Sequence, residues 1–334
     1  MQLALKYRPR SFAEVIGQEV IISVLSRQIA TKTFKNCYLF CGPSGCGKTT
    51  VARIFSNEVN GGQSSPKEIN AASNNGIDDI RKISQMALQS SLDSDYQVFI
   101  IDECHQLTRA AWDAALKLIE EPPEATIFIF CTTNPSKIPE TIQSRVQRFD
   151  FRRVSADIIT DRLEFICNEE LNISYDSQAL RSIAFSSGGN VRDAIKMLDM
   201  CVNTGNNLTE SLVNDIVGKI STKTVVDFCK YLYAKDSEPV LNIYEAISKF
   251  TNTLAIYDEI YGIAVDLCLY SKTKNKSIVS IYDDILIDLD TTKLVNRLSY
   301  YRPYVDDKSA LVFLKIVIME MLYGSWRFCK ICDW

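Results

Sequence analysis

Gly42-Pro43-Ser44-Gly45-Cys46-Gly47-Lys48-Thr49 decides the fold. The pattern is G-x-x-x-x-G-K-T, a phosphate-binding loop whose glycines let successive backbone N–H groups turn inward around phosphate oxygens. The apolar run Cys37–Cys41 leads into it as a buried strand. The amphipathic stretch Thr50–Val59 leaves it as a helix whose N-terminus adds partial positive charge. Pro43, Ser44, Gly45, Cys46, Gly47, Lys48, Thr49 and Thr50 are therefore expected to cradle a nucleotide's phosphates, with Lys48 on the β- and γ-phosphates and the Thr49 hydroxyl on Mg²⁺. The alternative is a glycine-rich strand–helix turn that binds nothing.

Downstream, Gln97–Ile101 is a near-continuous apolar strand, as expected of one buried on both faces of a parallel sheet. It ends in Asp102-Glu103, at the ligand-facing end of an open α/β sheet. Asp102 is expected to hold Mg²⁺ through its water shell, and Glu103 to polarise a water for attack on the γ-phosphate. Lys67–Ala72 reads as a short strand, Ser73–Gly76 as a turn, and Ile77–Leu92 as a helix carrying Arg81 and Lys82. Thr108 caps a helix over Arg109–Glu121 that stops at Pro122-Pro123. Arg109 lies in its first turn, where a cation opposes the helix dipole, which hints at an anion nearby. Ala125–Thr132 is the next strand. Thr133 and Asn134 follow it, within hydrogen-bonding reach of a γ-phosphate, and Val146–Phe151 reads as an edge strand. Upstream of the loop lies an arm, Lys6–Arg10 with Phe12–Gln18, ahead of a helix over Glu19–Thr31. Pro9 sets an extended approach and Gly17 a tight turn.

Past Phe151 the βα alternation gives way to helices alone, which marks a domain boundary. Helices are expected over Ser155–Leu171, Ser177–Ser186, Asn190–Asn203 and Thr209–Val217, and from Ser221 onward the chain is helical and rich in Tyr, Ile and Leu. The 334 residues carry a net charge of −4, which argues against coating nucleic acid by bulk charge but permits a local basic surface. No apolar run is long enough to span a bilayer, and Met1–Arg10 has no apolar signal core, so a cytoplasmic protein is expected. The eleven cysteines read as reduced thiols, and Cys329-x-x-Cys332 is a weak zinc signal.

Several motifs now line up: Lys6-Tyr7-Arg8-Pro9 with Val15-Ile16-Gly17-Gln18, the phosphate loop, Glu68–Gly76, Ile101-Asp102-Glu103-Cys104-His105, Leu118–Pro123, Ile138–Arg145, Arg148–Phe151 and Gly189–Ala194. This set resembles the AAA+ ATPase subunits of sliding-clamp loaders, the family of bacterial DNA polymerase III γ/τ and replication factor C small subunits. The resemblance spans Lys6 to about Val217. It implies a P-loop AAA+ parallel-sheet domain over 1–151, a helical lid over 152–219 and an all-α collar for oligomerisation over 220–334. By the same resemblance Tyr7, Arg8, Val15 and Ile16, flanked by Pro9 and Gly17, line the adenine site. Thr133 is the first sensor and Arg192 the second, on the lid. Arg145 is an arginine finger inserted into a neighbouring subunit's site, and Asn75, Arg81 and Arg109 face DNA. The implied substrate is ATP with Mg²⁺. The implied partners are other loader subunits in a ring-like, pentameric assembly, the sliding clamp, primer–template DNA and the replicative polymerase, with no membrane.

Two departures matter. The bacterial family carries a four-cysteine zinc module where this chain has Asn60–Pro66 without cysteine, so no zinc is expected. The finger motif is Ser144-Arg145-Val146 rather than Ser-Arg-Cys. A bacterial subunit and a virus-encoded counterpart are both open. Asp102-Glu103-Cys104-His105 also fits the D-E-x-H pattern of helicases, and branch-migration motors share the Arg-Pro and Ile-Gly-Gln arm. The final third shows no winged-helix pattern. A non-hydrolysing scaffold subunit would lack Lys48 and Glu103, and this chain has both.

Overall fold

A computed structural model describes residues 3–62, 65–88, 95–171, 173–204, 207–217, 220–249, 253–279, 281 and 285–324, save the side chains of 170, 171, 217 and 277. Cys329, Cys332, the C-terminal 325–334 and part of the Asn60–Pro66 gap lie outside the described residues. The chain divides into two compact units between Leu208 and Thr209.

The first unit is built on five strands, β1 (Cys37–Cys41), β2 (Lys67–Asn70), β3 (Gln97–Asp102), β4 (Thr126–Thr132) and β5 (Gln147–Asp150). They lie in the order β2-β3-β4-β1-β5, all parallel, with β5 at an edge. Register aligns their C-terminal ends: Asn70 is opposite Asp102, and Cys41 is opposite both Thr132 and Asp150. Side chains alternate faces along each strand. Leu39, Phe99, Ile101, Phe128 and Phe130 pack on helices α4 (Ile77–Ala87) and α5 (Arg109–Glu120). Tyr38, Phe40, Ile100, Ile127 and Ile129 pack on α2 (Glu19–Ala30) and α3 (Lys48–Val59). Both sheet faces are thus covered, which is why the central strands read as unbroken apolar runs. A short helix α1 (Leu3–Lys6) precedes the arm, and α6 (Glu140–Gln143) precedes β5.

Several boundaries differ from expectation. The loop helix begins at Lys48 itself, directly after Gly47. β2 stops at Asn70, whose side-chain oxygen accepts from the Ala72 N–H at 2.9 Å and starts the turn. Residues 89–92 of the expected Ile77–Leu92 helix lie outside the described residues, and the helix ends at Ala87.

Three capped helices complete this unit. They are α7 (Ala156–Phe165), α8 (Ser177–Ser186) and α9 (Val191–Val202), with Ser155, Asp176 and Asn190 accepting from the first-turn N–H groups. The chain widens to a π-helical turn over Ile166–Leu171 rather than continuing α7. Ile159, Leu163, Leu180, Ile183, Ala194 and Leu198 are fully buried in these helices. Leu208 closes the unit by bridging to Tyr175, its carbonyl accepting from the Asp176 N–H at 2.8 Å. The next helix, α10 (Glu210–Val217), groups with the second unit.

The second unit is all-helical among the described residues, apart from loops. α11 (Thr222–Ala234), α12 (Ser237–Ile247), α13 (Thr253–Thr273), α14 (Thr292–Tyr301) and α15 (Ala310–Tyr323) share a core that includes Phe228, Ile260, Leu267, Leu298, Leu314 and Val317. No helix among the described residues is long and apolar enough to cross a membrane.

Candidate functional site

The phosphate loop leaves β1 at Gly42, whose N–H donates to the Thr132 carbonyl at 3.1 Å, extending the sheet by one bond. Gly45 stands at φ +69°, and a Cβ there would lie 1.6 Å from the Asn190 side-chain oxygen. Only glycine fits, both for its left-handed backbone and because the cap of α9 lies directly on the loop. Lys48 is 6% exposed, and its ammonium donates to the Gly42 and Pro43 carbonyls at 2.8 and 2.7 Å. The buried cation is therefore held inside the cradle by the loop's own oxygens. It is satisfied there, as a buried charge must be.

The sheet's aligned C-terminal ends supply the rest. The Thr49 hydroxyl donates to Asp102 Oδ2 at 2.9 Å, bringing together a hydroxyl and a carboxylate of the kind a hard divalent cation takes. Glu103 adopts a left-handed backbone, φ +50°, which non-glycine residues accept only where surroundings impose it. Its Oε2 accepts from the Thr133 hydroxyl at 3.1 Å and lies 3.3 Å from His105 Nδ1. The Thr132 hydroxyl is 3.2 Å from the same ring nitrogen.

A cleft opens above the loop, lined by Ala4 of α1, by Tyr7, Arg8, Pro9, Val15 and Ile16 from the arm and by the loop itself. Asp102, Glu103, and Val191, Arg192 and Ile195 of α9 complete it. One end is thus apolar and aromatic, the other rich in backbone donors and cations. Burial, then the neighbouring Arg53 and Arg192, lower the Arg8 guanidinium from its ordinary range. Glu68 and Asp102 pull the other way, and Arg53 is paired with Glu68; the backbone donors of the loop with Lys48, Arg8 and Arg192 form a donor set that a triphosphate fits. Burial also raises the Cys46 thiol, and pushes Cys41 up to about 11, so neither is a nucleophile at neutral pH.

Among the residues expected from sequence, Gly17, Pro43 and Thr133 do not line the cleft. Gly17 faces Val154, Pro43 meets Lys48 through its carbonyl, and Thr133 reaches Glu103. Arg145 does not line it either: its Nε lies 2.9 Å from Glu120 Oε1. Asn75 accepts from the Thr108 N–H at 3.1 Å, next to Arg109, while Arg81 pairs with Asp78 at 3.0 Å on α4, the helix packed against α5.

Sequence reasoning missed Gln18. Its buried amide donates to the Arg152 carbonyl at 2.7 Å and the Cys46 carbonyl at 3.3 Å, and accepts from the Arg152 N–H at 3.3 Å. One side chain thereby ties the phosphate loop to the segment leading into the lid. A signal existed: Gln18 stands at the N-cap of α2, where Ser, Thr, Asp or Asn is preferred, and makes no cap bond. Arg53, paired with Glu68, was not singled out either.

Comparison with known proteins matches residues 63–155 to the family "DNA polymerase III, delta subunit". Residues 158–207 match "DNA polymerase III clamp loader subunit, ATPase lid domain". The chain is 35% identical over 289 residues to DNA polymerase III subunit tau of Bacillus subtilis, covering 79% of this chain and 51% of that protein. It is 34% identical over 272 residues to DNA polymerase III subunit gamma/tau of Mycobacterium tuberculosis, covering 74% of this chain and 47% of the relative. The chain thus spans about half the length of the curated relatives it matches. Among solved structures, the RuvB Holliday junction branch migration motor of Thermotoga maritima superposes with a TM-score of 0.54 at 20% identity, over 76% of this chain and 90% of that one. That likeness is one of fold.

Proposed function

The chain belongs with the clamp-loader ATPase subunits of the DNA polymerase III γ/τ type, and on that premise we propose that it is an ATP-driven motor subunit of a sliding-clamp loader. ATP binding opens the clamp, and hydrolysis on primer–template DNA releases it closed. The observation that carries this reading is the convergence of Lys48, Thr49, Asp102, Glu103 and lid residue Arg192 on one cleft, in a chain 35% identical to a τ subunit.

Each residue then has a task. The arm places Tyr7, Pro9, Val15 and Ile16 against the adenine, while Arg8 and Arg192 face the phosphates. Lys48 exchanges its carbonyl partners for phosphate oxygens. Thr49 and Asp102 would hold Mg²⁺, which would neutralise charge developing on the phosphates. Glu103, kept in place by Thr133, takes a proton from the attacking water. Arg145 lies outside its own chain's cleft, which suits a finger that serves a neighbour's γ-phosphate in a ring-like, pentameric assembly. Arg81 on α4 and Arg109 on α5, with Asn75 in the turn ahead of α4, face the DNA backbone. The clamp and the replicative polymerase are the remaining partners, in the cytoplasm.

The test is ATPase measured with a candidate clamp and primed DNA, added separately and together. Turnover should rise most when both are present, and charge reversal at Arg81 and Arg109 should blunt the DNA response and its salt dependence. Full stimulation by DNA alone, indifferent to the clamp, would point to a branch-migration motor and overturn the reading.

A further inference from the structure

Helix α5 carries its end charges the wrong way round. Its first turn holds Arg109 and no acid, and its last residue is Glu120, followed by Glu121. Cations are favoured at the C-terminus of a helix and anions at the N-terminus, so Arg109 and Glu120 each work against the macrodipole, while Lys117 in the last turn works with it. The proposed DNA contact accounts for Arg109. Glu120 needs a separate reason.

The geometry supplies one. Glu120 Oε1 lies 2.9 Å from Arg145 Nε. On the same guanidinium, Nη1 donates to the Thr141 carbonyl at 2.8 Å and to the Ser144 hydroxyl at 3.3 Å. Nη2 has no hydrogen bond among the described residues. The platform beneath is fixed: α6 packs on α5, Ile119 and Ile142 share one core, and Gln143 donates to the Pro135 and Ile138 carbonyls at 3.3 and 2.9 Å. The guanidinium is thus hydrogen-bonded through Nη1 and ion-paired with Glu120 at Nε, while Nη2 stays open.

We propose that Glu120 is the positioning residue of the arginine finger, gripping Arg145 at Nε so that Nη2 is presented to the γ-phosphate bound by a neighbouring subunit. This rests on the reading of Arg145 as a finger that acts in trans. Glu120 itself touches neither nucleotide nor water. Its effect is to keep the guanidinium oriented before the neighbour arrives, so that little side-chain freedom is lost when it engages. Both partners are about half exposed, 41% for Arg145 and 45% for Glu120, so the pair contributes little to stability and its loss should leave the fold intact.

The experiment uses the assembled loader with clamp and primed DNA, and compares kcat and KM for ATP among wild type, Arg145→Ala, Glu120→Ala, Glu120→Gln and the Glu120→Ala/Arg145→Ala double variant. Glu120→Ala should lower kcat by about tenfold, the scale of a modest misplacement, with KM unchanged. Glu120→Gln keeps an acceptor oxygen and should recover most of that loss. In the double variant, losing Glu120 should cost nothing beyond Arg145→Ala. If Arg145→Ala is inactive while Glu120→Ala turns over like wild type, the positioning role fails and the finger reading stands. A faster Glu120→Ala would mean that the pair restrains the finger, which also overturns the proposal. Further loss in the double variant would place Glu120 in some other role. Full activity of Arg145→Ala would remove the finger and the positioning residue together.

Discussion

The two units bury apolar cores of similar character and use their polar atoms in opposite ways. In the sheet unit a set of buried and half-buried polar side chains converges. Lys48, the Thr49–Asp102 pair, the Glu103–Thr133 contact and Gln18 all gather at the C-terminal edge of the strands. In the helical unit they are dispersed: Tyr244, Tyr257 and Tyr233 each tie one helix to another's backbone, through Leu311, Leu298 and Leu294. Positive φ at non-glycine residues also differs in setting, with Ala125 in the turn before β4. Lys32, Lys235 and Lys274 have positive φ where helices end, an ordinary cap conformation, whereas Glu103 has it in the middle of a polar cluster. Convergent polar groups and locally imposed strain mark a site of chemistry, and scattered hydroxyl-to-backbone ties mark a scaffold.

The largest effect that tests this contrast is at Lys48. Lys48→Ala should abolish nucleotide binding, raising Kd for a fluorescent ATP analogue at least about 100-fold, because the one buried cation of the cradle is gone. Circular dichroism should show the fold retained. If the variant binds like wild type, the cleft is not the nucleotide site and the convergence at the sheet edge needs another explanation.

Much of the sheet unit was legible because its signals are local. Cys37–Cys41, Gln97–Ile101 and Ala125–Thr132 are apolar on both faces, and glycine spacing places the loop between strand and helix. Loop residues Lys48 and Thr49 and strand-end residues Asp102 and Glu103 follow from position along the chain. Long-range pairs had no such signal. Gln18 and Arg152 lie 134 positions apart, and the approach of Asn190 to Gly45 exists only once the lid folds back on the loop. The helical unit was legible only as helices: its tyrosine ties depend on which helices meet, and nothing in the periodicity reports that.

Gln18 gives an intermediate effect that sharpens the contrast within the sheet unit. Its amide serves the Cys46 carbonyl on one side and Arg152 on the other, so it couples loop and lid without lining the cleft. Gln18→Ala should leave three backbone groups without their partner and destabilise the first unit by about 1–3 kcal/mol. ATP affinity should also fall, by about tenfold, since the lid that carries Arg192 is no longer pinned to the loop. Gln18→Glu retains the acceptor for the Arg152 N–H but loses both donors, and should behave like alanine. If urea melts show the lost stability while ATP binds as in wild type, Gln18 is a packing residue and not a link.

The smallest effect belongs to the scaffold. Tyr257 is buried, its hydroxyl donates to the Leu298 carbonyl at 2.9 Å, and burial pushes its pKa from 10.0 up to about 12. Tyr257→Phe should cost about 1 kcal/mol of stability in the helical unit, the worth of one hydrogen bond, and leave ATP affinity unmoved. The pH dependence carries the sign. The folded state favours the neutral phenol, so Tyr257's contribution is fully present below pH 10, where the unfolded chain also keeps its proton. Above pH 10 the unfolded chain ionises first, and the contribution is lost as pH rises toward 12. Phenylalanine does not titrate, so the variant's stability should fall less steeply than wild type over that window. If the two slopes are equal, the hydroxyl is not the buried donor, and the tyrosine ties lose their claim to be what joins these helices.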